Sequence, residues 1–302
     1  MRRAIIIGAH GQDGRLLGEQ LELADRSLIK IGRGDIDLQD RHRIDALIGD
    51  LRPDEIYYLA AHHHSSQDPL AEDDATLFAR SIEVNVTGLV HVLQAVRVCS
   101  PDTRVFYAAS SHIFGQPATA MQSENTPFVP NGVYGITKAA GVQCCRYYRR
   151  SHGVFAATGI LYNHESALRG AQFVSQKIIL AARAIAAGSS ERLLLGDLSA
   201  RIDWGYAPDY VDAMRRILAL PRADDFVVAS GESHTVQEFV EAAFEAAGLD
   251  WRRHVAEDPG QINRQYRGLI GDASKLRAAT GWKPSVSFRA MVRILFDADN
   301  HG

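Results

Sequence analysis

The chain has 302 residues and a formal net charge of −3 at pH 7, long enough to bury a large α/β core with a smaller lobe beside it. Its charge is too balanced to suggest nucleic acid or an anionic membrane surface as a partner, and no run approaches the ~18 apolar residues of a membrane span. Cys99, Cys144 and Cys145 lack metal or redox spacing, and Met-Arg-Arg-Ala-Ile-Ile-Ile-Gly reads as a first strand rather than a signal peptide, so a cytoplasmic protein with reduced thiols is expected.

In chain order, an apolar strand over 4–7 ends in Gly8, and a helix follows over 15–24. A second strand spans 27–31, a third ends at 36–38, and 41–51 is helical. A fourth strand covers 55–60, a long helix 79–99, a fifth strand 104–108, a helix 134–150 and a sixth strand 155–161. These strands are continuously apolar rather than alternating. With helices between them they predict an α/β fold, a Rossmann-type doubly wound parallel sheet. After residue 161 the pattern changes. A polar loop over 163–170 precedes a helix at 173–187, short strands near 192–195 and 226–229, a helix at 236–247 and a closing helix from Phe288. The expected division is a dinucleotide-binding domain over 1–163 and a smaller α/β substrate lobe over 164–302, with elements near 206–220 returning to the first domain.

Two motifs carry the chemistry. Gly8-Ala-His-Gly11-Gln12-Asp13-Gly14 is a glycine-rich turn between a strand and a helix, suited to the close approach of a pyrophosphate to the helix N-terminus. Tyr134-Gly-Ile-Thr-Lys138 sets a phenol and an ammonium on one helix face. The ammonium is expected to lower the phenol's pKa so that it takes a proton from an alcohol near neutral pH. Ser110, just past the end of the fifth strand, sits where ligands bind in a parallel sheet and shares a hydrogen bond with the reacting hydroxyl. Together these predict hydride chemistry on a carbinol. After the second strand, Ile31-Gly32-Arg33-Gly34 has no acidic group at the usual ribose position. Arg33 suits a 2′-phosphate, which favours NADP; Asp35 could accept a ribose hydroxyl instead, which leaves NAD open. Asp37 reads equally as an adenine contact or a solvated turn residue. His62-His-His64 is read as lining the site or as solvated loop, because consecutive loop residues diverge and metal ligands are usually spaced; no metal is expected. Trp204 suits either base stacking or the core.

With those residues placed, the chain resembles the extended short-chain dehydrogenase/reductases that act on nucleotide sugars, and among them the GDP-mannose 4,6-dehydratases. The likeness rests on Gly8 to Gly14, Arg52-Pro-Asp-Glu-Ile-Tyr57, Asn163-His-Glu-Ser166, Arg201-Ile-Asp-Trp-Gly205, Leu269-Ile-Gly-Asp272 and Gly281-Trp-Lys-Pro284. It implies oxidation at the sugar C4, loss of water across C5 and C6, and hydride return to C6. Tyr134 then takes the C4 hydroxyl proton, Lys138 supports it and holds the nicotinamide ribose, and Ser110 stands where the family has threonine. Leu59, Ala60, Ala61 and His64 follow the fourth strand along the cofactor. Asn163, Arg169, Lys177, Arg201 and Arg264 are the candidate contacts to a GDP-hexose or similar nucleotide sugar. The class also implies a homodimer through helices near 83–99 and 135–150; the short loop after Arg33 weakens the case for a tetramer.

The sequence departs from the family where it matters for chemistry. His112 stands where the dehydratases carry the glutamate that moves the C5 proton, and imidazole can act as both base and acid near pH 7. Gln172 stands where related epimerases carry a histidine. Ala167-Leu168 replaces Pro-Arg, while Gln176 and Ile202 replace arginines. The dehydratase reading therefore stands beside an NADPH-dependent 4-keto sugar reductase or epimerase, and beside a binding protein without turnover.

Overall fold

The computed structural model describes residues 2–24, 26–62, 73–258, 260 and 268–298. Its first half runs β1 (Arg3–Ile7), α1 (Gln12–Leu23), β2 (Ser27–Ile31), α2 (Arg41–Leu51), β3 (Glu55–Tyr58), α3 (Asp74–Ile82), α4 (Gly88–Cys99), β4 (Arg104–Ser110), α5 (Val133–His152) and β5 (Ala156–Leu161). The second half runs β6 (Asn163–Glu165), α6 (Val174–Ala186), β7 (Leu193–Leu195), β8 (Arg201–Ile202), β9 (Trp204–Tyr206), α7 (Ala207–Ala219), β10 (Asp225–Val228), β11 (His234–Thr235), α8 (Val236–Ala246), β12 (Val255–Glu257), α9 (Ser274–Thr280) and α10 (Phe288–Asp297).

Six parallel strands form the main sheet in the order β10-β5-β4-β3-β1-β2. The chain steps outward from β1 to β2 and then returns past β1 to build β3, β4 and β5. The C-terminal ends of β1 and β3 therefore flank the switch point at which such sheets bind ligands. β1, β3, β4 and β5 are buried along almost their whole length, as continuous apolar strands covered on both faces should be. α7 packs on α1, and β10 extends the sheet beyond β5, so the chain re-enters the first core after β9.

The expected third strand at 36–38 is absent; residues 33–36 and 38–39 form turns and a bend. The local polar chemistry explains this. The Asp35 carboxylate accepts from the Gly32 N–H at 2.7 Å and Asp37 Oδ1 from the Gln39 N–H at 2.9 Å, giving the backbone turn bonds in place of a ladder.

The run Asp74–Cys99 is one continuous helix, with a π-helical turn at Glu83–Thr87 joining α3 to α4. By length and composition alone it is apolar enough to cross a membrane, contrary to the sequence expectation. α4 packs on α2 and α5 and buries Leu89, Val92, Leu93 and Val96 in the main core, which accounts for its apolarity.

The smaller lobe has its own core. Ile178 and Ile179 of α6, Phe239 and Phe244 of α8, Met291 and Leu295 of α10 and Trp204 of β9 meet there. Three two-stranded pairs, β6 with β9, β7 with β12 and β8 with β11, frame it. Asp203, buried between β8 and β9, accepts from the Ser230 N–H and hydroxyl and from the Gly231 and Gly271 N–H groups. Those bonds fasten the small lobe to the loop after β10 and to the segment before α9.

Candidate active site

The glycine turn opens at the end of β1. Gly8 has φ +95°, and a Cβ there would lie 2.6 Å from the Ala60 nitrogen; one on Gly14 would lie 2.4 Å from the Gly8 carbonyl oxygen. Those two glycines serve the protein's own packing. Gly11 differs. It is exposed, it starts α1 without a side-chain cap, and a Cβ on it would meet only the Gly8 oxygen at 3.6 Å. The open space is thus beside Gly11, over the uncapped N–H groups of α1, which is the cradle a dinucleotide pyrophosphate requires.

Leu59 and Ala60 lie against this turn, and Leu59 N–H donates to the Ile7 carbonyl at 2.8 Å. Ala61 is half-buried and follows them. The segment is held by Asn85, a buried residue of the π-helical turn. Its Oδ1 accepts from the His62 N–H at 3.0 Å and its Nδ2 donates to Thr137 Oγ1 at 3.0 Å. Sequence reasoning missed Asn85, although an amide inside an apolar helical run must find buried partners. His64 and Arg264 lie outside the described residues.

At the end of β4, Ser110 is buried and hydrogen-bonded to the Tyr134 side chain, and its Oγ accepts from the His112 N–H at 3.3 Å. His112, in a short 3₁₀ turn, sets its ring edge-on to Tyr134, with centroids 5.8 Å apart. Lys138 is fully buried; Nζ donates to the Ala108 carbonyl at 2.7 Å and lies 5.6 Å from the Tyr134 ring centroid. The four residues expected to do chemistry thus converge on the ends of β4 and α5.

Their electrostatics differ from the sequence expectation. Burial pushes the Tyr134 phenol up to about 12; Arg169 and the Ser110 hydrogen bond oppose that rise, while Asp13 adds to it. Burial lowers Lys138 to about 7, against the pull of Asp13 and Cys145. The ammonium therefore does not depress the phenol in this state, because desolvation penalises both charged forms. Among the described residues, Arg169 is a cation that opposes the rise of the Tyr134 phenol.

Arg169 sits in the loop after β6, its Nε 3.4 Å from Glu165 Oε2 and its guanidinium 3.6 Å over the Phe173 ring. The loop is knitted to the glycine turn. Gln12 Nε2 donates to the His164 carbonyl at 3.1 Å, Ser166 Oγ donates to Gln12 Oε1 at 2.9 Å, and Asp13 pairs with His164 at 2.9 Å. Asn163, half-buried, pairs in register with Trp204. Of the other expected substrate cations, Lys177 and Arg201 are tied to their own lobe. Lys177 Nζ donates to the Leu194 carbonyl at 2.9 Å beside a surface cavity of about 310 Å³, and Arg201 Nε donates to Ser233 Oγ at 2.8 Å. Trp204 packs against Phe239 and Phe288 in the small core. Arg33 is exposed after β2, and Asp37 is exposed with its carboxylate on the Gln39 N–H.

A switch-point glycine turn beside a Ser, Tyr and Lys group at the adjoining strand ends is the arrangement of the extended short-chain dehydrogenase/reductases. Solved structures agree on the fold. RMD from Pseudomonas aeruginosa, complexed with NADPH, matches with a TM-score of 0.84 at 23% identity over 98% of this chain and 96% of that one. The dTDP-glucose 4,6-dehydratase of Bacillus anthracis, in complex with NAD, matches at 0.82 and 15% identity over 98% and 96%. Sequence comparison narrows the class. GDP-mannose 4,6 dehydratase 1 of Arabidopsis thaliana is 38% identical over 280 residues, 91% of this chain and 75% of that one. The family model described as GDP-mannose 4,6 dehydratase matches residues 22–295, and the chain belongs to that family.

Proposed function

We propose that the protein is a nicotinamide-dependent nucleotide-sugar 4,6-dehydratase acting on a GDP-hexose. Beyond family membership, the observation that carries this reading is the placement of His112. Its ring lies edge-on to Tyr134 at the strand end that also presents Ser110, so a second acid–base group stands within one sugar ring of the phenol.

The cradle at Gly11 suits a pyrophosphate; on this reading Lys138 would hold the nicotinamide ribose and Arg33 a 2′-phosphate. When bound, the nicotinamide supplies the acceptor for a hydride from the sugar C4 and its donor to C6. The chain's own residues move the protons. As a phenolate hydrogen-bonded by Ser110, the form that Arg169 favours against burial, Tyr134 takes the proton of the C4 hydroxyl. His112 removes the C5 proton, made acidic by the neighbouring ketone, and delivers a proton to the C6 hydroxyl as the C6–O bond breaks and water leaves; once hydride has added at C6, His112 passes a solvent-derived proton to C5, which completes the 4-keto-6-deoxy product. Imidazole suits both roles because it titrates near neutral pH. Arg169 opposes the rise in the phenol's pKa and pairs with Glu165 on the same strand as Asn163, where a sugar diphosphate would be received.

NADP is favoured over NAD because Asp35 spends its carboxylate on the Gly32 N–H while Arg33 stays exposed. A homodimer is supported by the exposed Ile136 and Tyr147 on α5 beside the exposed Ile82 and Val98 of the α3–α4 run. The free cysteines suit a cytoplasmic location.

The test is incubation of the purified protein with GDP-mannose in deuterated water, read by mass. Loss of water with deuterium gained at C5 is the expected result, and His112→Ala should abolish both. The single acid–base group at position 112, with Gln172 exposed, favours one second reading, simple 4-keto reduction. NADPH consumption by a 4-keto-6-deoxy sugar, without dehydration of GDP-mannose, would establish it.

A further inference from the structure

The glycine turn and the strand that carries Asn163 are joined by one charged pair. Asp13, in the first turn of α1, receives the His164 Nε2–H at 2.9 Å on Oδ1 and 3.0 Å on Oδ2. The other ring nitrogen, Nδ1, lies 2.7 Å from the Tyr162 carbonyl oxygen. The ring is stacked on Tyr210 of α7, centroids 4.5 Å apart and planes 20° from parallel. Both partners of the imidazole are therefore acceptors, a carboxylate and a carbonyl, and an imidazole that satisfies both must carry a proton on each nitrogen.

The charged neighbours fit that state. Tyr134 and Lys138 approach from α5, Arg169 with its partner Glu165 from the loop after β6, and Tyr210 from α7. Arg169 opposes a second cation at His164; Asp13 favours it, and the balance raises the imidazole above its ordinary value despite burial. On Asp13, burial is likewise outweighed by His164, which holds the carboxyl below its usual range.

The pair matters because of where Asp13 sits. A carboxylate in the first turn of a helix is favourable by itself, but a pyrophosphate at the same N–H groups brings further negative charge. Left bare, Asp13 would repel it. We infer that His164 is the imidazolium counter-charge of Asp13, and that this pairing keeps the glycine turn receptive to a dinucleotide pyrophosphate while fastening it to the strand that carries Asn163. This rests on the cofactor reading above. It makes His164 a positioning residue, acting through Asp13.

The test measures dissociation constants of NADPH and NADH on the full chain by titration calorimetry. His164→Gln keeps an N–H for Asp13 but removes the charge, and should weaken binding by about 10-fold or more. The double variant Asp13→Asn/His164→Gln should return to within about threefold of wild type, since no bare carboxylate remains. Wild-type affinity should fall as pH rises through the His164 titration, and the double variant should lack that fall. ¹⁵N NMR of the cofactor-free protein, followed against pH, should show the doubly protonated His164 ring persisting above the range in which a free imidazole titrates. Unchanged binding by His164→Gln, or a double variant as weak as the single, would overturn the inference. Should His164→Gln not fold, Asp13→Asn decides: affinity equal to or above wild type supports the pairing, and a 10-fold loss overturns it. A wild type that binds neither dinucleotide overturns the cofactor reading and the receptivity inference with it, whereas a binding wild type with an indifferent His164 overturns the pairing alone.

Discussion

The two lobes hold their functional residues in different ways. In the first, Ser110, Tyr134 and Lys138 are fixed by long buried elements, β4 and the 20-residue α5, so their side chains meet whether or not a ligand is present. In the second, the described substrate cations stand on a two-residue strand, a loop and a helix face, and these three bond their own lobe: Arg201 to Ser233, Arg169 to Glu165, Lys177 to Leu194. A site on rigid elements is preorganised for chemistry; cations parked on backbone and hydroxyl acceptors must be released before they can bind a diphosphate. On the proposed function, the difference assigns the reaction to the first lobe and the choice of substrate to the second.

The largest effect that could break this comparison is catalytic. Tyr134→Phe should lower kcat by about 10²–10⁴-fold, with dinucleotide affinity nearly unchanged, because the phenol is held by α5 and not by the cofactor. Turnover at wild-type rate would remove the chemistry from the first lobe. Next in size is the small core. Trp204→Ala should cost about 3–5 kcal/mol in denaturant titration, because the indole is enclosed by Phe239 and Phe288. If the small lobe then unfolds in a separate, earlier transition, the two cores are independent units; a single cooperative transition would show that the Asp203 bonds to Ser230, Gly231 and Gly271 make them one.

What the sequence made legible follows the same division. The glycine turn and the Tyr134–Lys138 helix are local patterns, so their spacing alone predicted elements and chemistry. The bond between Asp13 and His164 spans 151 residues, and nothing local to either motif announces it. A hint existed, since Gln12, Asp13, His164 and Ser166 are polar groups in motifs bound for a buried turn, and such groups need partners. The strand expected at 36–38 failed because two aspartates offered turn bonds that an apolar pattern does not register. The pKa of Tyr134 came out with the wrong sign because i, i+4 spacing reports proximity to Lys138 but says nothing of the burial of both.

That burial gives a third, smaller prediction. Lys138 is depressed to about 7 by desolvation, so between pH ~7 and its unfolded value near 10.5 the unfolded chain binds the extra proton. Stability from this residue therefore rises with pH across that window, and below it the buried ammonium is a constant penalty. Lys138→Met should raise the melting temperature at pH 7 and flatten its climb from pH 7 to 10, even though the Ala108 carbonyl loses its donor. An unchanged slope would mean that Lys138 titrates normally and that the first lobe holds its catalytic group without strain.

The smallest prediction probes the second lobe directly. Arg201 is exposed and donates from both Nε and Nη2 to Ser233, bridging β8 to the turn before β11. Pairs at such positions contribute little, so Arg201→Ala should cost under about 1 kcal/mol in stability. Its kinetic effect discriminates more sharply. If the guanidinium stays on Ser233 during turnover, KM for the nucleotide sugar should change by less than about threefold with kcat unchanged. A larger rise in KM at constant kcat would mean lost uniform binding, and would show that Arg201 swings from Ser233 to the diphosphate. The cations of the second lobe would then be a reserve drawn on by the substrate, and the contrast with the rigid first lobe would be one of timing rather than of membership in the site.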